Sequence, residues 1–270
     1  MKNHTISFSN VLGGNAHRPR MIWSFIGAFL TAAILLTVFL VGCGNWDEGS
    51  IIGPTDALLP TVSATEPMNH ATNVPINKKI ALTFSEEMDP LTITKTTFTL
   101  KQGTTLVQIT VNYVGLVATM TPSADLAANT TYTATISTEA EDLAGNELAN
   151  EYKWIFTTGS SSDNTPPTLS SVEPATNATN VPINKKIAAT FSEAMDPSTI
   201  TKTTVTLKRG TKPVSGTVSY VGLVMTFTPA DKFATNTEYT VTISTGVMDL
   251  AGNAMSNNFV WSFITGTTLD

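Results

Sequence analysis

The sequence predicts an all-β protein built from two tandem antiparallel β-sandwiches. The first observation is an internal repeat: residues 67–159 recur as residues 174–266 at a constant offset of 107 residues. Roughly two thirds of the paired positions are identical, and a repeat of about 100 residues has the length of a whole domain. The second observation is that each copy contains short runs of alternating polarity and no long helical pattern. The chain is therefore expected to contain two copies of one small β domain.

Seven strand-like runs occur in each copy, and each is bounded by glycine, proline or asparagine. In the first copy they begin with residues 61–65 and continue through runs centred on Leu82, Leu100, Val111, Ala118, Ala134 and Trp154. Seven short strands in about 100 residues predict a seven-stranded sandwich of the immunoglobulin class. Neither copy contains a cysteine, so packing alone must hold the core. Trp154 and Trp261 are predicted to be equivalent buried residues on the last strand.

The rest of the chain divides around these two domains. Residues 60–159 form the first predicted domain and residues 167–266 the second, with a linker over 160–166. The linker's serines favour flexibility, and its closing prolines stiffen the last step. Residues 1–42 are predicted to be a lipoprotein signal peptide. Residues 43–59 are predicted to be a lipidated cysteine followed by a flexible tether.

The N-terminal region has the pattern of an export signal. Positive residues precede an uncharged apolar run, Met21–Val41, which is long enough to span a bilayer. The run ends in Leu-Val-Gly-Cys43, which resembles the bacterial lipobox, and Cys43 is the only cysteine in the chain. This pattern predicts an exported protein held on a membrane by a lipid on Cys43, at the cell surface or in the periplasm. An uncleaved signal anchor with a chance cysteine is the alternative.

One turn motif follows the second strand-like run of each copy. Asp89-Pro90 in the first copy recurs as Asp196-Pro197 in the second. Aspartate is a preferred helix N-cap, and proline is favoured at the first helical position. The motif therefore predicts a short helical turn capped by Asp89 or Asp196.

A second motif, Asp142–Asn146, recurs unchanged as Asp249–Asn253. Its aspartate can accept hydrogen bonds from backbone amides a few residues further on. Its glycine, Gly145 or Gly252, can supply the positive φ that a tight loop requires. The motif is predicted to be a structural turn in both domains.

These motifs resemble a known family. The openings TEPMNHATNVPINKKIALTFSEEMD and VEPATNATNVPINKKIAATFSEAMD, together with DLAGN and a closing WxFxTG, look like the SbsA-type bacterial Ig-like domain. The resemblance covers both repeats nearly end to end. It implies the seven-stranded sandwich and a surface-layer, adhesin or exoprotein context, in which such modules act mainly as stalks and spacers. It carries over no catalytic residue.

Charge and composition exclude several functional classes. The formal net charge of −6 leaves no basic face for nucleic acid, so no nucleic-acid partner is expected. Of the three histidines only His70 lies within a repeat, and Asn177 replaces it in the second copy. A catalytic triad therefore has no repeated base. No catalytic residue is assigned, and the chain is predicted not to be an enzyme.

Calcium is the one cofactor that the sequence leaves open. Asp142, Glu139 and Glu141 form a weak candidate site, since Ca²⁺ prefers several carboxylate and carbonyl oxygens. Their spacing lacks the rhythm of a dedicated calcium loop, and of the second copy's equivalents only Asp249 is acidic. A turn with exposed acids is the simpler interpretation, so no cofactor is expected.

The sequence therefore predicts a non-catalytic cell-surface lipoprotein whose modules act as a spacer, stalk or adhesion scaffold. One alternative is a module that binds a cell-surface protein or a glycan, with calcium as an aid. Another is the N-terminal part of a longer surface protein, for example an ice-binding adhesin. Differences between the copies are concentrated at residues 139–141 against 246–248 and at residues 123–126 against 230–233, where a binding site would be sought.

Overall fold

The computed structural model describes residues 57–270. The predicted signal peptide, Cys43 and most of the tether lie outside the described residues. The described residues belong to one compact unit. Within the described part, the chain folds into strands with one short 3₁₀ helix at Pro197–Thr199.

The first domain is a sandwich of two sheets. Its strands are β1 (Val62–Glu66), β2 (Ala71–Val74), β3 (Ile80–Phe84), β4 (Phe98–Gln102), β5 (Thr105–Leu106), β6 (Ile109–Val114), β7 (Val117–Pro122), β8 (Thr131–Ile136) and β9 (Tyr152–Thr158). One sheet has the order β1-β3-β7-β6, and the other has the order β2-β9-β8-β4-β5.

The second domain repeats this arrangement. Its strands are β10 (Leu169–Glu173), β11 (Ala178–Val181), β12 (Ile187–Phe191), β13 (Val205–Arg209), β14 (Lys212–Pro213), β15 (Gly216–Val221), β16 (Val224–Pro229), β17 (Glu238–Ile243) and β18 (Phe259–Thr265). Its sheets have the orders β10-β12-β16-β15 and β11-β18-β17-β13-β14, so the topology of the first domain is reproduced strand for strand.

The predicted all-β fold of two tandem immunoglobulin-like sandwiches is confirmed. Seven strands of the first domain match the seven predicted runs, and the short strands β2 and β5 are additional. The sheets also depart from the purely antiparallel expectation, because β2 pairs parallel with β9 and β11 pairs parallel with β18. β2 follows β1 in sequence but lies in the opposite sheet, where it forms the edge strand beside β9.

The core of each domain lies between its two sheets. Strand β8 shows why these residues form strands: Tyr132, Ala134 and Ile136 are buried, while the threonines between them face outward, as a period of two requires. Trp154 on β9 and Trp261 on β18 are among the largest fully buried side chains, one in each core. Each core is therefore complete within its own sandwich.

No helix within residues 57–270 has the length and apolar character needed to cross a membrane.

Candidate functional site at the domain junction

The two domains are joined by a loop of the second domain that packs onto a sheet of the first. The loop is Asp249–Asn253, and its leucine, Leu250, is 2% exposed. Leu250 forms a small buried apolar cluster with Ala81 on β3 and Val117 on β7, and Ala194 of the second domain packs against the same cluster. This cluster is separate from the two domain cores and contains residues of both domains.

Polar contacts surround this apolar cluster. The Lys79 ammonium lies 2.5 Å from Oδ2 of Asp196, and the Lys79 amide donates to the carbonyl of Leu250 at 2.8 Å. The Asn77 side-chain amide donates to the carbonyl of Ala251 at 3.3 Å. Lys79 and Asn77 belong to the first domain and their partners to the second, so each contact opposes relative rotation of the domains.

Asp196 is held in its charged form at this junction. Burial alone would raise the pKa of its carboxyl group, but hydrogen bonds from the Lys79 ammonium and from Ser198 outweigh that effect. The pKa of Asp196 is therefore lowered from 3.8. The ion pair with Lys79 persists at neutral pH, and because Asp196 is almost fully buried it is better shielded from solvent than a surface pair.

The linker over residues 160–166 is tied to both domains. The Ile76 amide donates to the carbonyl of Ser161 at 3.2 Å, and the Asp163 amide donates to Oδ1 of Asn77 at 2.9 Å. The carbonyl of Asp163 accepts from the side-chain amides of Asn77 at 2.9 Å and Asn253 at 3.2 Å. The flexibility expected from the serines is opposed by these contacts, which the composition of the linker could not reveal.

A mainly apolar cleft of about 330 Å³ opens beside the junction, with Met68 and Val117 on one side and Tyr220 and Leu223 on the other. The Tyr220 hydroxyl accepts a hydrogen bond from the Met195 amide at 2.8 Å. Burial, reinforced by nearby carboxylates, raises the pKa of Tyr220 to about 12. Tyr220 therefore acts at this site as a neutral packing and hydrogen-bonding residue.

Three carboxylates also meet at the junction. Oxygens of Asp163, Glu193 and Asp249 lie within 4.8 Å of one another, and no other group of this kind occurs among residues 57–270. Burial raises the pKa of Glu193, and the neighbouring carboxylates of Asp249 and Asp163 add to this effect. The sequence did not predict this group, because its members are far apart in the chain.

The calcium candidate of the first domain has a different arrangement. Within the described residues, Asp142, Glu139 and Glu141 do not form a group of three converging carboxylates. Both oxygens of Asp142 already accept hydrogen bonds from its own loop: Oδ1 from the amides of Ala144 and Asn146, and Oδ2 from the Asn146 side chain. Asp142 thus acts as the acceptor at the centre of a turn.

The hydrogen bonds of this loop explain its electrostatics. Burial favours a higher pKa for Asp142, but the donors from the Asn146 side chain and from the loop backbone together lower the pKa from 3.8. Gly145 has φ of +85° and Gly252 has φ of +92°, which are conformations that favour glycine. Asp249 accepts the same three kinds of hydrogen bond, from Ala251 and Asn253.

The other turn motif differs slightly between the domains. Asp196 caps the 3₁₀ helix, its Oδ1 accepting from the Ser198 amide at 2.9 Å, and Pro197 begins the helix. In the first domain Asp89 accepts from the Leu91 amide at 2.9 Å, but Pro90 begins a turn and not a helix.

The structure places the two turn motifs side by side in each domain. Met88 bridges to Asp142, and Met195 bridges to Asp249. The two motifs thus form one continuous surface in each domain, and that surface of the second domain contacts the first domain.

Sequence reasoning missed the residues of the first domain that receive this surface. The signal was present: the run Ala71–Ala81 recurs without change as Ala178–Ala188, although it includes the exposed polar residues Asn184 and Lys186. Solvated polar positions drift readily between copies, so identity along this run singles out the face that carries Asn77 and Lys79.

The comparisons with known proteins agree with the fold. A family model described as bacterial Ig-like domain matches residues 56–158 and again residues 163–265. The chain therefore belongs to the bacterial Ig-like domain family. The finer SbsA-type resemblance stays a prediction. A search of curated protein sequences found none that match this chain.

The solved structures that match the chain share little sequence with it. The N-terminal part of the bacterial S-layer protein SbsC is 16% identical, with a TM-score of 0.31 over 77% of this chain and 44% of that one. CopC from Methylosinus trichosporium OB3b is 16% identical, with a TM-score of 0.32 over 37% of this chain and 93% of that one. The titin domains Z1Z2, solved with telethonin, are 9% identical, with a TM-score of 0.27 over 79% of this chain and 98% of that one. The chain spans less than half the length of the SbsC fragment.

Proposed function

We propose that the chain is a non-catalytic cell-surface lipoprotein of the SbsA type whose two domains act as a stiff spacer or adhesion scaffold. The observation that carries the proposal is the junction, where Leu250 is buried in the first domain and Lys79 pairs with Asp196 of the second. A spacer must keep its distal part at a fixed distance from its anchor. Apolar packing combined with a partly buried ion pair and a hydrogen-bonded linker suits that task better than a free hinge does.

The anchor in this proposal is Cys43, which would hold the protein by its lipid on a membrane, at the cell surface or in the periplasm. The supporting observations are the positive residues before Met21–Val41 and the lipobox-like ending at the only cysteine. We expect Cys43→Ser to abolish the incorporation of labelled fatty acid and to leave an unprocessed precursor. Ser50→Ala, a control in the tether, should leave labelling unchanged. Normal labelling of Cys43→Ser would refute the anchor.

The spacer role predicts an ordered distance from the membrane. Fluorophores can be attached at Gln102→Cys or at Arg209→Cys, equivalent exposed positions in the two domains. With an acceptor dye in the membrane, energy transfer should be weaker from position 209 than from position 102. The difference should vanish when a protease cleaves the tether before residue 57 and releases both domains from the membrane. Equal transfer from the two positions in the anchored protein would contradict a spacer that projects the second domain.

A further inference from the structure

Each domain carries both halves of the junction, and within residues 57–270 each uses one of them for the contact between the domains. The receiving face of the first domain consists of Asn77, Lys79, Ala81 and Val117, and it binds the Asp249–Asn253 loop. At the offset of 107 residues, the second domain carries its own receiving face, which consists of Asn184, Lys186, Ala188 and Val224. The first domain likewise carries its own inserting loop, Asp142–Asn146.

The unused halves are exposed where the used halves are buried. Leu143 of the first domain's loop is 67% exposed, whereas its equivalent Leu250 is 2% exposed. Val224 of the free face is 38% exposed, whereas Val117 is 5% exposed. Lys186 is exposed and makes no ion pair with any residue between 57 and 270. Leu250, Val117 and Lys79 thus have partners at the junction, whereas their equivalents Leu143, Val224 and Lys186 are exposed to solvent.

The first domain's loop and the second domain's receiving face also retain the local geometry of their equivalents at the junction. The Asp270 amide donates to Oδ1 of Asn184 at 2.8 Å, as the Asp163 amide does to Asn77 at 2.9 Å. The Ile183 amide donates to the carbonyl of Thr268 at 2.9 Å, which repeats the bond of Ile76 to the linker. The Asp142–Asn146 loop is built by the same hydrogen bonds to its aspartate as the Asp249–Asn253 loop. Both surfaces are therefore already shaped for the contact that the other junction shows.

We propose that the receiving face of the second domain binds the Asp142–Asn146 loop of a second copy of this chain, head to tail. Leu143 of one copy would cover Ala188 and Val224 of the next. Asp89, the equivalent of Asp196, would pair with Lys186. The two surfaces are different, so the contact is heterologous and each added copy presents a new free face. The expected product is an open series of copies and not a closed dimer.

One difference between the copies sets the strength of this contact. Ala194 packs against the apolar cluster at the existing junction, and its equivalent in the first domain is Glu87. A carboxylate beside an apolar contact must lose part of its hydration when the copies meet. The contact between copies also lacks the linker that raises the effective concentration within one chain. Association should therefore require high local concentrations of the protein, and Glu87→Ala should strengthen it.

Sedimentation velocity of the full chain in detergent micelles, up to about 1 mM protein, tests the proposal. The sedimentation coefficient of the wild type should rise with concentration. Leu143→Arg and Val224→Arg should each abolish the rise, and both positions are exposed, so the fold should be retained. Leu106→Arg, at an exposed leucine on β5, is the matched control and should behave as wild type. Circular dichroism checks the folding of every variant.

Mixing the two blocked variants gives the sharpest result. Leu143→Arg keeps its receiving face and Val224→Arg keeps its loop, so an equimolar mixture should form dimers and nothing longer. Glu87→Ala should lower the concentration for half-association by roughly tenfold. A wild type that stays monomeric, a blocked variant that associates like the wild type, or a mixture that stays monomeric would each overturn the proposal.

A charge variant tests the polar half of the contact independently. Lys186→Glu should weaken association of the full chain at least about tenfold, because it would place a carboxylate opposite Asp89. Lys202→Glu changes the charge equally at an exposed residue outside the receiving face, and it should leave association unchanged. Equal effects of the two substitutions would show that net charge, and not the proposed pair, controls association.

Discussion

Substitution of the two equivalent leucines separates the junction from the fold. Leu250 and Leu143 occupy the same position in the same loop, but Leu250 is 2% exposed and Leu143 is 67% exposed. Both loops are built by the same hydrogen bonds, so Leu→Ala should leave either loop intact. Any difference between the two variants therefore measures what the contact across the junction contributes.

The structure gives the size of this difference. Leu→Ala removes three carbon atoms, which at about 0.8 kcal/mol per buried methylene corresponds to about 2.5 kcal/mol for Leu250. A residual cavity adds to this loss, but the adjacent cleft of about 330 Å³ already leaves part of the region unpacked. Leu250→Ala should thus cost about 2–3 kcal/mol, near the lower end of the range for core leucines. Leu143→Ala should change stability by no more than about 0.5 kcal/mol.

Urea unfolding, followed separately by tryptophan fluorescence and by circular dichroism, measures the two free energies. Leu250→Ala should lower the unfolding free energy of the second domain or of the pair, and Leu143→Ala should leave the curve unchanged. Equal losses in the two variants would refute the reasoning, because they would show that the loop stabilises its own domain and not the junction.

Three further predictions concern the domain interiors and the turn acceptors. Trp261→Phe should lower the unfolding free energy by about 1 kcal/mol more than Trp154→Phe. The reason is that the Trp261 indole N–H donates to the carbonyl of Pro174 at 3.1 Å, whereas the Trp154 indole N–H has no hydrogen-bond partner within residues 57–270. Asp249→Asn should cost about 1–3 kcal/mol equally in calcium or in chelator, because it sets an amide donor against the side chain of Asn253. The lowered pKa of Asp142 makes its stabilising effect complete above pH 3.8 and lost as the pH falls through the folded value, so melting of the wild type should be more acid-sensitive than that of Asp142→Asn. Chemical unfolding measures the first two predictions. Similar losses in the two tryptophan variants would contradict the first, and rescue of Asp249→Asn by calcium would contradict the second. Melting over a pH series measures the third, and parallel pH profiles of the wild type and Asp142→Asn would contradict it.

The sandwich was predictable because its signals are local and repeated. Alternation along β8 and the aromatic positions of β9 identify core-facing residues without any knowledge of their partners. The short strands β2 and β5 were not predictable in this way. β2 has four residues and β5 has two, which are too few to show a periodic pattern. β2 is specified by its pairing with the distant strand β9, and β5 by its hairpin with β4.

The junction was not predictable from hydrophobic pattern alone. Leu143 and Leu250 are the same residue in the same motif, so only the position of a domain in the chain decides which one is buried. The carboxylates of Asp163, Glu193 and Asp249 likewise come from a linker and two loops, and tertiary structure alone brings them together. The alternation of polar and apolar residues along a strand predicts which residues face the core of their own domain. It does not predict contacts between domains, because those contacts join loops and strands that follow no shared periodic pattern.

The central claim is that the two domains keep a fixed relative orientation, and a distance measurement between them tests it directly. Spin labels at Gln102→Cys and Arg209→Cys, in the full chain with Cys43→Ser, report one distance between equivalent hairpins. Pulsed electron paramagnetic resonance should give a single narrow distribution, which broadens in Leu250→Ala. A broad distribution in the protein with Leu250 intact, unchanged by Leu250→Ala, would contradict the stiff spacer.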